Sequence, residues 1–180
     1  ASLLKVYEEN EKELRKENEI VVLQDDFSCD ELLNRVSRGT YDFVFHQAAI
    51  PRVLYSVENP AATTETNVYK TSRLFEACIG SVKRVIFASS SSVYGGPDTL
   101  PIHENTQKNP KSPYAWQKSA IEDLATVFCN LYDIDIICLR YFNVFGPGQL
   151  GDSAYSTAVS AWCHRTKVFA PLRSDGDGTQ

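Results

Sequence analysis

The sequence predicts an α/β protein built on a doubly wound parallel sheet, and three observations carry that prediction. Short apolar runs alternate with stretches of helical periodicity from one end to the other. The strand runs are separated by helices rather than by hairpin turns, which implies parallel pairing with helices over both faces. No repeat or low-complexity segment interrupts the alternation.

The first strand is expected at residues 20–23. Ser28 and Glu31 follow at capping-box spacing, opening a helix that stops near Gly39. A second strand, 43–46, comes at once, then a loop containing Pro51 and Pro60 and a helix over about 61–79. Residues 84–88 make a third, buried strand, and 89–111, with three prolines, read as a loop. Ser112-Pro113 supplies an N-cap and a proline at the first helical position. In the helix that follows, Ile121, Leu124, Ala125, Phe128 and Leu131 form one apolar face for packing on a sheet. A fourth strand at 134–139, a helix at 154–166 and a last short strand at 167–169 complete the expected elements.

Composition excludes several function classes. With 43% apolar and 23% charged residues, the 180-residue chain can bury a core and is neither disordered nor fibrous. Its net charge is −5 and its basic residues are scattered, so it lacks the footprint of a nucleic-acid binder. No apolar run approaches the ~20 residues of a membrane span, and no secretory signal pattern is present. Five widely spaced cysteines, mostly in apolar stretches, suit buried free thiols and a cytoplasmic address. The three histidines are far apart, with no Cys or carboxylate at metal-ligand spacing, so no metal is expected.

Tyr114 and Lys118 stand four apart near the start of a helix, which puts phenol and ammonium on one face. A tyrosine, with an ordinary pKa of ~10, serves as a proton acceptor near neutrality only if its phenolate is stabilised, and an adjacent cation does that. Alone the spacing matches any surface pair. It has company: Phe87-Ala88-Ser89-Ser90-Ser91-Ser92-Val93-Tyr94-Gly95 places hydroxyls at the C-terminal end of a strand, where open parallel sheets bind ligands.

These two blocks and Arg140-Tyr141-Phe142-Asn143-Val144-Phe145-Gly146-Pro147, in this order, resemble the extended short-chain dehydrogenase/reductases that modify nucleotide sugars. The likeness is nearest to UDP-glucose and UDP-N-acetylglucosamine 4-epimerases and runs from about Ile20 to Gln180. Asp25-Asp26, Phe45-His46-Gln47-Ala48-Ala49, and Asn59-Pro60 followed by Asn67-Val68 agree with it.

The resemblance implies a Rossmann-like domain with NAD as cofactor and a UDP-sugar as substrate. It implies Tyr114 as active-site base, Lys118 as its electrostatic partner and ribose ligand, and Ser90, beside Ser91, as the hydroxyl at the reacting sugar oxygen. Asp26 and Phe27 would surround the adenine, while Ala48, Ala49 and Tyr141 would line the dinucleotide. Asn67 would prop the site, Asn143 would reach the diphosphate region, and Gln149 would touch the sugar. Each has a plainer alternative: Asn67 as a turn cap, Asn143 as a loop tie, Asp26 as a helix-start carboxylate. Family members commonly dimerise through the helix that carries Tyr114, so a homodimer is expected.

The implied chemistry is removal of the sugar 4-hydroxyl proton by Tyr114 as a hydride leaves C4, and return to the other face of the 4-keto sugar. Dehydratases of the family carry an Asp-Glu pair where this chain has Ser91 and Ser92, which argues against dehydration and weakens a decarboxylase reading. Epimerases of UDP-glucuronate tend to show Thr at the position of Asn143, which favours a neutral hexose or N-acetylhexosamine. A non-catalytic dinucleotide sensor would be expected to lose Tyr114 and Lys118. A flavodoxin-like module shares the fold class without explaining Ser90, Tyr114 and Asn143 together.

No Gly-x-x-Gly-x-x-Gly phosphate loop occurs in the 180 residues. The chain is therefore read as lacking the first strand-loop-helix unit and most of the C-terminal substrate domain. Residues 1–150 are expected to form a partial NAD-binding domain and 151–180 the start of the substrate region, with the 180 residues alone inactive.

Overall fold

The computed structural model describes residues 21–96, 100–146, 149–152 and 156–172. They fall into two compact units, one of the described residues of 25–142 and one of residues 21–24 with the described residues of 143–172. In the first, the order is α1 (Asp30–Ser37), β1 (Phe43–His46), α2 (Val53–Glu58), α3 (Pro60–Thr64), a π-helical turn (Glu65–Tyr69), α4 (Lys70–Cys78), β2 (Arg84–Ser90), a 3-10 turn (Ser91–Tyr94), α5 (Pro113–Tyr132) and β3 (Ile136–Tyr141). The second contains α6 (Ala158–Lys167).

The three strands pair in parallel in the order β1-β2-β3. Phe43 lies opposite Arg84, and Ser90 opposite Tyr141, so the strand ends carrying His46, Ser90 and Tyr141 emerge on one edge of the sheet. Val85 and Phe87 on β2 are almost completely buried beneath Phe75 of α4 and Ile121 and Ala125 of α5. The Phe75 and Phe87 rings meet edge to face with centroids 6.1 Å apart. Each such side chain contributes roughly 1.5–3 kcal/mol by leaving water.

The opposite face of the sheet is more open among the described residues. Phe45, opposite Ile86, is 69% exposed and Leu139, opposite Ala88, is 37% exposed. Within the described residues of the 25–142 unit, the helices pack on the face that carries Val85 and Phe87.

α5 begins as its sequence dictates. The Ser112 side chain accepts a hydrogen bond from the Ala115 N–H, Pro113 occupies the first turn, and Asp133 ends the helix with φ 53°. Ile121 and Ala125 reach the core, Leu124 and Phe128 pack at its margin, and Leu131 is exposed.

Several expectations are corrected. Residues 21–24 form no strand. The expected strand at 167–169 is instead the end of α6 and its cap, with Phe169 at φ 55° and almost fully exposed. Ser28 does not cap α1: Cys29 occupies the N-cap, and Ser28 Oγ donates to Asp26 Oδ1 at 2.6 Å, an ionised acceptor two residues away. α2 and the 3-10 turn form inside stretches expected to be loop. The expected start of the last helix, 154–155, lies outside the described residues, and α6 begins at Ala158 behind Thr157 as cap. Of the five free thiols only Cys78 is fully buried, and Cys163 is exposed. Among the described residues no group of three His, Cys, Asp or Glu could hold a metal, and no helix is long and apolar enough to cross a membrane.

Candidate active site

Ser90 closes β2, and the chain must then turn sharply to clear the sheet. It does so through the 3-10 turn, in which Ser90 Oγ accepts from the Ser92 N–H at 3.2 Å and the Ser92 hydroxyl at 2.9 Å. Gly95 ends that turn at φ +67°, and a Cβ there would collide with the Asn109 carbonyl, so only glycine fits. Ser91 is the first residue of the turn.

Tyr114 and Lys118 project from the first turns of α5 toward the same strand end. Both are buried, at 8% and 4% exposure, which removes them from the class of solvated surface pairs. Lys118 Nζ donates to the Ala88 carbonyl at 2.6 Å, lies 4.6 Å above the Phe87 ring and sits 5.9 Å from the centre of the Tyr114 ring. The Ser90 hydroxyl stands near enough to the Tyr114 phenol to act on its titration. The structure therefore brings Ser90, Tyr114 and Lys118 together from two elements.

Burial governs the electrostatics. It lowers the Lys118 pKa to about 8. Burial also raises the Tyr114 phenol above its ordinary value, with the Ser90 hydroxyl pulling the other way. The spacing predicts a phenol lowered by the ammonium one turn away, whereas here desolvation sets the direction and the phenol is raised. His46 is held neutral, its pKa lowered to about 4 by burial and by the charge of Lys118. Its ring lies against Phe27 at 4.7 Å, and its Nε2 pairs with the Thr71 hydroxyl at 2.9 Å.

A buried polar network, of which the sequence singled out only Asn67, supports this helix start. Asn67, in the π-helical turn, donates to Gln117 Oε1 at 2.8 Å and to the Ile50 carbonyl at 3.1 Å, and accepts from the Ile50 N–H at 2.8 Å. Gln117 in turn donates to the hydroxyls of Thr63 and Thr64 at 2.9 and 3.0 Å. The Tyr114 N–H donates to Ser56 Oγ at 3.1 Å. Asn67 is thus a tie between three segments rather than a local cap.

The other expected residues are distributed along the strand ends. Ionised Asp26 is held well below the usual carboxylate range, at about 2, first by the Lys70 ammonium at 2.6 Å and then by Ser28. Phe27 packs on His46, and Ala48 and Ala49 form the turn after β1, with Ala48 exposed. The Tyr141 hydroxyl accepts from Gln47 Nε2 at 3.5 Å. Asn143 and Gln149 belong to the second unit, where Gln149 accepts from the Thr157 hydroxyl at 3.2 Å and donates to the Val144 carbonyl at 3.4 Å.

A cavity of about 630 Å³ opens along β3 and α5, with Tyr94, Glu104, Glu122, Cys138, Arg140 and Tyr141 among its walls. Ser90, Tyr114 and Lys118 do not line it.

Known proteins resemble this chain in sequence and in fold. The model of the NAD dependent epimerase/dehydratase family matches residues 5–180. UDP-glucuronate 4-epimerase of Thermodesulfobacterium geofontis is 34% identical over 172 residues, 93% of this chain and 51% of that protein. The solved UDP-N-acetylglucosamine 4-epimerase from Methanobrevibacter ruminantium, in complex with UDP-N-acetylmuramic acid, has a TM-score of 0.82 at 34% identity, over 89% of this chain and 51% of that one. A mutant UDP-glucuronic acid 4-epimerase from Bacillus cereus, in complex with a fluorinated substrate analogue and NAD, has a TM-score of 0.84 at 30% identity, over 96% and 54%. The chain spans about half the length of the curated relatives it matches. With the family model covering nearly its whole length, the chain belongs to the NAD-dependent epimerase/dehydratase family.

Proposed function

We propose that the intact protein inverts C4 of a UDP-sugar, UDP-glucose/galactose or UDP-N-acetylglucosamine/galactosamine, through a transient 4-keto sugar. The observation that carries this reading is the convergence of Ser90, Tyr114 and Lys118 at the C-terminal end of β2. Lys118, Asp26 and Phe27 fit an NAD cofactor. The Lys118 ammonium spends one of its three N–H groups on Ala88, which leaves donors for a ribose diol. Asp26 is ionised and half-exposed beside Phe27, suited to accept from an exocyclic amine. Ala48, Ala49 and Tyr141 would line the dinucleotide.

NAD, when bound, supplies the hydride acceptor and donor at the sugar C4. This chain's residues move the proton. Ser90 Oγ holds the sugar O4 in hydrogen-bond reach of the Tyr114 phenol, with Ser91 beside it, and Tyr114 takes the O4 proton. The Lys118 ammonium stabilises the phenolate form of Tyr114, which accepts this proton and becomes the neutral phenol. When the 4-keto sugar presents its other face, Tyr114 returns the proton to O4 and the centre is inverted. Asn143 and Gln149 are assigned to the diphosphate and the sugar. Ser91 and Ser92, standing where a dehydratase needs an acid and a base, support epimerisation over elimination.

α5 turns Trp116, Val127 and Leu131 outward, at 51%, 48% and 68% exposure, and that helix is assigned to a homodimer contact. A cytoplasmic, reducing setting suits the five free thiols. The 180 residues by themselves carry no glycine-rich phosphate loop and are expected to bind NAD weakly and to be inactive.

Product analysis of UDP-glucose and UDP-N-acetylglucosamine incubated with the intact protein tests the reading. The 4-epimer of one or both is expected. Exclusive formation of a 4-keto-6-deoxy product, or no turnover of either, would overturn it.

A further inference from the structure

The segment that carries Ser90 is held at both ends by one ion pair, of buried Glu122 with half-buried Arg140. Glu122 lies one turn beyond Lys118 on α5, is 7% exposed, and accepts two hydrogen bonds from Arg140, Nε to Oε1 at 2.9 Å and NH2 to Oε2 at 2.7 Å. At the near end of the segment, Ser89 Oγ donates to Glu122 Oε1 at 2.6 Å. At the far end, Arg140 NH1 donates to the Tyr94 hydroxyl at 2.9 Å, and the guanidinium lies 4.8 Å from the centre of that ring. Ser90 stands between those two anchors, and the neighbouring Ala88 carbonyl is the one that holds Lys118.

The pair is well matched to a fixed geometry. Burial alone would raise the Glu122 pKa, but hydrogen bonds from Arg140 and Ser89 and the charges of Arg140 and Lys108 bring it below its ordinary value. Arg140 is raised, chiefly by Glu122. Both groups therefore stay charged, and a carboxylate gripped by a planar guanidinium has little freedom to rotate.

We propose that the Glu122–Arg140 pair is a positioning clamp for Ser90, acting through Ser89 and Tyr94, which sets the Ser90 hydroxyl against the Tyr114 phenol. The catalytic consequence rests on the epimerase reading above; the positional claim does not.

Ser89→Ala and Tyr94→Phe release the two ends while leaving Glu122 and Arg140 paired, so neither strands a buried charge. In the intact protein carrying 3,5-difluorotyrosine at position 114, 19F NMR follows the titration of that phenol. The Ser89→Ala/Tyr94→Phe double variant is expected to raise its titration midpoint by as much as Ser90→Ala does. It should also lower kcat on the order of tenfold with KM unchanged within about twofold. Adding Ser90→Ala to the double variant should change nothing more. An unmoved midpoint in the double variant or in Ser90→Ala, or losses that multiply in the triple variant, would overturn the clamp. Midpoints that move together in a protein with no turnover of UDP-sugars would uphold the clamp and refute the epimerase reading.

Discussion

Asn67 and Gln117 face each other across a 2.8 Å hydrogen bond, and that bond joins the π-helical turn to the first turns of α5, one residue from Lys118 and three from Tyr114. A π-turn widens the helix locally, and here it places a buried amide where three segments meet.

Replacing Asn67 with Leu leaves the Ile50 N–H and carbonyl and the Gln117 amide without their partner in a buried setting. The expected loss of stability is on the order of 2–4 kcal/mol, since an orphaned buried polar group costs ~1–3 kcal/mol. Urea unfolding of the intact protein measures it, with an unchanged m-value and a lower midpoint. An unchanged midpoint would remove Asn67 from the support of the site.

His46 predicts a loss of stability in acid. Its folded pKa of about 4 lies below the ordinary 6.5. Between these values the unfolded chain binds a proton that the folded chain refuses, so stability falls as pH drops from 6.5 toward 4. The total is on the order of 3 kcal/mol once both limits are passed. His46→Gln, which keeps a partner for Thr71, should flatten that part of the pH–stability curve. A curve identical to wild type would contradict the assignment.

Lys118 predicts the alkaline counterpart. With its pKa lowered to about 8 from 10.5, the unfolded chain holds more protons between those values, and stability of the cofactor-free protein rises with pH across that window. Lys118→Met should abolish the rise. Thermal melts at a series of pH values between 7.5 and 10 distinguish the two curves.

Much of this arrangement was legible in the sequence because it rests on local signals. Ser112-Pro113 marks the start of α5, the three- and four-residue recurrence from Ile121 to Phe128 marks its buried side, and Tyr114 and Lys118 share a face by spacing alone. What was not legible depends on distant partners. Glu122 reads as a solvated helix carboxylate until Arg140, 18 residues away, is placed opposite Ser89 by strand register. Gln117 reads as a surface amide until Asn67 and Thr63 close around it. Residues 21–24 are apolar enough for a strand, yet a strand exists only where a neighbour supplies the pairing, and among the described residues none does. The sign of the Tyr114 shift escaped for the same reason: spacing reveals the nearby ammonium, and only packing reveals how much water is gone.

The central claim is that the Tyr114 phenol carries the sugar O4 proton. Turnover of UDP-glucose or UDP-N-acetylglucosamine by the intact Tyr114→Phe protein, with folding checked by circular dichroism, tests it most directly. A fall of roughly 10²–10⁴-fold in kcat with the fold intact is predicted, the range that a positioned general base supplies. Undiminished epimerisation by that variant would contradict the account.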